Sequence, residues 1–211
     1  MTSSKFAMVD VGKSLDLAAA PAPSQALRDV LRLATSQVHE RLHHHPGFAA
    51  VQAGTIDHSG YVALLSRVYG FYGPFEAAAR IEPQRTRWLE SDLAALGVDD
   101  ARREALARCT AFPARLSPDH VLGARYVVEG SSLGGRGMAR QLDVLLGSGA
   151  TDGRRFFTGY GSETGAGWRD YLLRLTEVPG TEQKRVAIVQ SAVTTFTIFE
   201  QWLAGWDNNH G

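Results

Sequence analysis

Gly130-Ser131-Ser132-Leu133-Gly134-Gly135-Arg136-Gly137 interrupts what otherwise reads as one long helix. The flanks, 118–126 and 138–146, are rich in helix formers and carry apolar residues at helical spacing. A glycine inside a helix costs about 1 kcal/mol relative to alanine, so four in eight residues need a compensating reason. Gly130, Gly134 and Gly137 recur at i, i+4 and i+7 and share one face. That face has no side chains, so a second helix or a flat ligand can approach the backbone closely. The lysine placement and preceding strand of a phosphate loop are missing. Helix packing and ligand approach stand as equal alternatives on these residues alone.

The surrounding chain reads as helical throughout. Leu27, Leu31, Ala34, Val38 and Leu42 form an apolar stripe over 26–44, stopped by Pro46-Gly47. Asp57 or Ser59 can cap a helix carrying Tyr61, Leu64, Leu65, Val68 and Tyr72, which Pro74 kinks or ends. A helix over 85–96 closes at Gly97, and another runs from Asp99 or Asp100 to about Ala111. Ser117-Pro118 is a cap followed by a first-turn proline and opens the glycine-interrupted helix. Residues 147–164 read as a loop anchored by Phe156, Phe157 and Tyr160, followed by helices over 166–176 and 181–206. No alternating strand pattern appears. The expectation is an all-α, single-domain bundle of about seven to nine helices over 25–206, with a flexible lead at 1–24 and a tail at 207–211.

Composition excludes several classes of function. The chain has 211 residues, 44% of them hydrophobic, with a formal net charge of +0. No global field attracts nucleic acid or an anionic membrane, and no apolar run is long enough to span a bilayer. The one cysteine, Cys109, excludes an internal disulfide and a thiolate metal cluster, and is read as inert. A reducing cytoplasm is the expected home.

Among polar residues, Arg32, Thr35 and His39 lie at i, i+3 and i+7 beside the first apolar stripe. His39 reads either as a half-buried core-edge histidine or as a ligand to a metal or heme iron. His43-His44-His45 reads as an exposed helix end, because consecutive helical residues point about 100° apart. His58 and His120 are expected to be solvated, and Glu129 to face solvent. His210 lies in the tail.

Leu31-Arg32-Leu33-Ala34-Thr35-Ser36-Gln37-Val38-His39 resembles the proximal-helix signature of heme oxygenases, in which a histidine follows an Ala-Thr pair. Tyr126 to Gly135 resembles their distal-helix signature in its bacterial form. Arg155-Phe156-Phe157-Thr158-Gly159-Tyr160-Gly161 with Trp168, and Phe196 to Leu203, are also similar to bacterial members. The likeness spans about 26–204. Within the family it is nearest to the members that supply biliverdin to bacteriophytochromes.

The resemblance implies heme as both cofactor and substrate, cleaved by O2 to biliverdin, CO and ferrous iron. It implies His39 as the proximal iron ligand and Gly130, Ser131, Gly134 and Gly135 as the catalytic distal wall, where backbone and Ser131 hold water. Arg32 and Arg169 are the implied propionate partners, with Arg125 and Arg136 as weaker alternatives. Thr35 belongs to the heme-binding face, and Phe196 and Phe199 are apolar wall. An external electron donor such as a ferredoxin or a flavin reductase is implied, because no dinucleotide fingerprint is present. A bacteriophytochrome is the implied biliverdin acceptor, and an α-meso product is expected. Two positions depart from many animal members. Ser131 stands where those have an aspartate, and His43 where they have a carboxylate. These departures keep open a heme-binding or heme-delivery protein of the same fold. A thiaminase-like hydrolase would need a nucleophilic cysteine in a motif, and Cys109 lies outside every one.

Overall fold

The computed structural model describes residues 23–178 and 181–206. Of the lead expected over 1–24, residues 23 and 24 belong to the first helix, and the rest, like the tail at 207–211, lies outside the described residues. The architecture is all-helical and single-domain. In chain order the helices are α1 (Pro23–His43), α2 (Pro46–Ala53), α3 (His58–Ala79), α4 (Gln84–Ala95), α5 (Asp100–Glu104), α6 (Pro118–Gln141), α7 (Asp143–Leu146), α8 (Arg155–Thr158), α9 (Thr164–Thr176) and α10 (Glu182–Leu203). A 3-10 turn, Gly161–Glu163, precedes α9. The helices not expected from the sequence are α2, of eight residues, and the single turns α7 and α8, all too short to show a clear periodic stripe.

The caps follow the sequence chemistry. Asp57 accepts from the Gly60 N–H at 2.7 Å to start α3, and Ser117 accepts from the His120 N–H at 3.4 Å to start α6. Pro46-Gly47 not only ends α1 but opens α2. There His45 is the cap, its Nδ1 accepting from Gly47 N at 3.2 Å while its Nε2 lies 3.1 Å from the Leu203 carbonyl.

Pro74 lies inside a continuous α3. Proline has no N–H, so the Gly70 carbonyl one turn back lacks its helical donor. The Cys109 N–H supplies one at 2.9 Å. Gly70 permits this approach, since a Cβ there would meet the Ala107 carbonyl at 2.4 Å. This explains why the helix expected to reach Ala111 stops at Glu104. The following backbone bonds α3 instead of itself, with Leu116 N donating to Ala78 O at 2.8 Å.

The core forms where α6 crosses α10, with α1 packed on α10 and α9, α3 on α4, and α8 on α6. Leu31, Leu64, Phe75, Leu89, Ala124 and Ile188 are fully buried in it. At the α6–α10 crossing, a Cβ on Gly123 would lie 2.1 Å from the Ile188 carbonyl, so only glycine fits. Ser191 locks the crossing by donating to the His120 carbonyl at 2.6 Å. No described helix is long and apolar enough to cross a membrane.

Candidate functional site

α6 runs unbroken through the glycine-rich stretch. Ser131 and Ser132 both donate to the Val128 carbonyl, at 2.9 and 3.2 Å, so their hydroxyl hydrogens serve the helix's own backbone. The glycines divide by what faces them. Gly135 is buried against α8, where a Cβ would stand 2.9 Å from the Phe157 carbonyl. Gly130 faces the Trp168 ring at an ordinary 3.7 Å, and Gly134 and Gly137 meet nothing within 4 Å. Packing therefore accounts for Gly135, while the Gly134 face borders open space.

That space is a cavity of about 240 Å³ between α1 and α6. His39, Leu42 and His43 form its α1 wall, and Gly130, Ser131, Ser132, Gly134 and Gly135 part of its α6 wall. Phe196 and Phe199 of α10 and Phe71 and Tyr72 of α3 close it with aromatic surface. His39, His43, Ser131 and Gly134 retain exposure, so the cavity opens to the surface between the two helices. A larger hollow of about 470 Å³, lined by residues such as Val62, Arg67 and Trp206, contains none of the ten expected site residues.

Seven of the ten expected site residues thus share one cavity: His39, Gly130, Ser131, Gly134, Gly135, Phe196 and Phe199. Arg32, Thr35 and Arg169 do not line it. Thr35 is buried, donating to the Leu31 carbonyl at 2.8 Å beside the Tyr126 hydroxyl. Arg32 is exposed, 4.0 Å from Asp29. Arg169 is an exposed residue of α9. Arg136 is also exposed.

Burial lowers the His39 pKa below the usual imidazole value, and a charge on His43 would lower it further, Glu40 opposing. The shift favours the neutral, ligand-competent form of the ring. Its neighbours are the His43 ring, edge-on at 4.6 Å between centroids, and Phe196 at 6.0 Å. The three consecutive histidines do not act together. His43 lines the cavity, exposed His44 pairs with Glu40 at 3.1 Å, and His45 caps α2. His39-Glu40-Arg41-Leu42-His43 also matches the H-E-x-x-H pattern of helical zinc sites. Glu40 turns to His44, however, and among the described residues no three His, Cys, Asp or Glu side chains converge to hold an ion.

The expectation that Glu129 faces solvent is overturned. It accepts from Arg85 Nη2 and from Arg125 Nη2, each at 2.9 Å. Helix α4 brings Arg85 to this carboxylate, and Arg85 itself is buried and lines the cavity. Glu76, fully buried on α3, holds the start of α4 by accepting from Arg85 N at 3.0 Å and Thr86 N at 3.1 Å. The Tyr72 hydroxyl lies beside Ser131, and burial raises its pKa. None of Arg85, Glu76 and Tyr72 was singled out as functional from the sequence. From the sequence Arg85 reads only as the first residue of the helix over 85–96. Glu129 beside the glycines was the only pointer to a polar partner.

A neutral imidazole opposite a glycine surface, within aromatic walls, suits a flat apolar macrocycle carrying iron. A macrocycle wider than the enclosed space would project its edge through the mouth between α1 and α6.

A family model described as heme oxygenase matches residues 25–205. No curated protein matches the chain. Among solved structures, the heme oxygenase of Leptospira interrogans is similar at a TM-score of 0.71 and 16% identity, covering 84% of this chain and 98% of that one. Heme oxygenase-1 of the cyanobacterium Synechocystis sp. PCC6803, in complex with heme, is similar at a TM-score of 0.70 and 17% identity, covering 87% and 93%. The identities are low and carry the fold alone, whereas the family match spans nearly the whole described region. With the heme oxygenase fold and an apolar cavity between a histidine helix and a glycine-rich helix, this chain belongs to the heme oxygenase family.

Proposed function

We propose that this protein is a cytoplasmic heme oxygenase that cleaves heme to biliverdin, CO and ferrous iron, using O2 and electrons from a separate donor. One observation carries the reading. In a chain of this family, His39 stands in the same apolar cavity as the side-chain-free face of α6 at Gly130 and Gly134. The bound heme supplies the redox-active iron and the ring that is opened.

The residues do the rest. His39, whose neutral form is favoured, would hold the heme iron as its protein ligand. Gly130 and Gly134 would leave room for a flat ring against α6, and Gly135 fixes the position of that wall by its contact with α8. Phe196 and Phe199 exclude water from one side. Ser131, beside Tyr72, offers an uncharged oxygen that holds water without acting as a strong acid or base. Arg32 and Arg169 are the proposed propionate partners; they stand on α1 and α9, which pack together. Thr35 supports the α1 face from within the core. A ferredoxin or flavin reductase is the proposed donor, and a bacteriophytochrome the proposed acceptor of an α-meso biliverdin, on the likeness of the distal segment.

The test is a hemin titration of the wild type and His39→Ala, then ascorbate in air with absorbance recorded over time. The proposal expects a one-to-one complex whose Soret band decays as a red biliverdin band grows, with His39→Ala failing to do so. A complex that keeps its Soret band would establish the alternative, a heme-binding or heme-delivery protein. No complex at all would refute both.

A further inference from the structure

Four ionisable side chains line the cavity: His39, His43, Tyr72 and Arg85. Among them Arg85 alone carries a guanidinium, a donor-only group. It is 5% exposed, and placing a cation there has a large desolvation cost. Its backbone is held by Glu76. On its side chain, a single nitrogen, Nη2, makes the bonds to Glu129 at 2.9 Å and to Ser132 at 3.3 Å. Nε and Nη1 find no acceptor among the described residues, yet they are not sealed orphan atoms like Arg67 Nε or Arg154 Nε. Arg85 lines the cavity, so these spare donors belong to a side chain that borders it.

Two further features leave this cation available. Glu129 is shared, because Arg125 also donates to it at 2.9 Å, so its charge is divided between two guanidinia. The neighbouring wall is poor in donors, since Gly130 and Gly134 have no side chains and Ser131 and Ser132 donate to Val128. A tie between α4 and α6 alone would not require spare N–H groups beside the cavity, and buried ion pairs contribute little net stability.

We propose that Arg85 binds small anionic and oxygen-donor ligands in this cavity, acting as its charged hydrogen-bond donor. This rests on the heme reading above, because the ligand is seated against the iron on the side away from His39. In a dry, apolar cleft, a preoriented charged donor acts more strongly than in water. Glu129 is the positioning residue, aiming the guanidinium from α6.

The test uses the ferric hemin complex and fluoride as the probe, with Arg85→Leu and Arg85→Lys. Hydrogen bonds to charged groups are typically worth about a tenfold change or more in affinity. Arg85→Leu is expected to bind fluoride roughly tenfold more weakly and to shift the charge-transfer band of the fluoride complex, with Arg85→Lys recovering part of both. CO binding to the ferrous complex, which needs no strong donor, is expected to change little. Fluoride affinity within twofold of wild type in both variants, with hemin uptake intact, would overturn the proposal. Should Arg85→Leu not fold, Glu129→Gln decides. With the guanidinium no longer aimed from α6, fluoride binding is expected to weaken, and unchanged or tighter binding overturns the role. A wild type that takes up no hemin would instead refute the heme reading itself.

Discussion

The two halves of α6 use glycine for opposite purposes. At Gly123 the missing side chain is filled by another backbone, with the Ile188 carbonyl 2.1 Å from where a Cβ would sit. At Gly134, three turns later, the missing side chain is left as space, and nothing stands within 4 Å. Gly135, the next residue, is a contact again, against Phe157 of α8. Neighbouring positions on one helix thus differ in whether absence of a side chain stabilises the fold or keeps a cavity open. The helix accepts the propensity cost in both cases, but only the first recovers it in packing.

The largest expected effect is at the crossing. Gly123→Ala drives a methyl into backbone that cannot rotate away, and should cost about 3 kcal/mol despite the better helix propensity of alanine. Chemical denaturation of wild type and variant measures this, and a variant as stable as wild type would break the comparison.

The second prediction concerns α8, which Gly135 leans on. Asp92 is fully buried and accepts from Arg155 N at 2.7 Å and Phe156 N at 2.8 Å. Burial nevertheless dominates and raises its pKa from 3.8 to about 6, the two N–H donors opposing. The native state therefore keeps a proton that the unfolded chain has lost between those pH values. Its contribution to stability is fully present below about pH 4 and falls as pH rises to about 6. At about 1.4 kcal/mol per unit, the loss is roughly 2–3 kcal/mol. Asp92→Asn removes the titration, so wild type minus variant in unfolding free energy should decline across that window. A difference that stays level would refute the assignment.

Gly135→Ala should cost about 1–2 kcal/mol, because the Phe157 backbone must shift a few tenths of an ångström. Unfolding midpoints of wild type and variant read it directly. The smallest effect on stability has the reverse sign. Gly134→Ala should stabilise the fold by up to about 1 kcal/mol through propensity, while weakening hemin binding because the methyl enters the cavity. A stability gain with unchanged hemin affinity would show that this face is not where the ligand lies.

Much was legible in the residues. The apolar stripes placed α1 and α3, the caps at Asp57 and Ser117 followed from side-chain chemistry, and motif order brought His39 and the glycines into one site. Other features were hidden for physical reasons. The early stop of α5 depends on Pro74 freeing a carbonyl on a different helix. Glu129 looked exposed because its partner Arg85 lies 44 residues earlier in the chain, on a different helix. Arg32 and Arg169 carry the right charge, yet neither lines the cavity.

By itself the sequence determined the all-helical class, the main helices and the residue types of the site, because periodicity, capping and motif spacing are local properties. Tertiary structure alone decided which glycine is contact and which is space, which histidine of three faces the cavity, and that Arg85 is buried against Glu129. Those outcomes depend on what other helices bring to each face, and no local pattern records that.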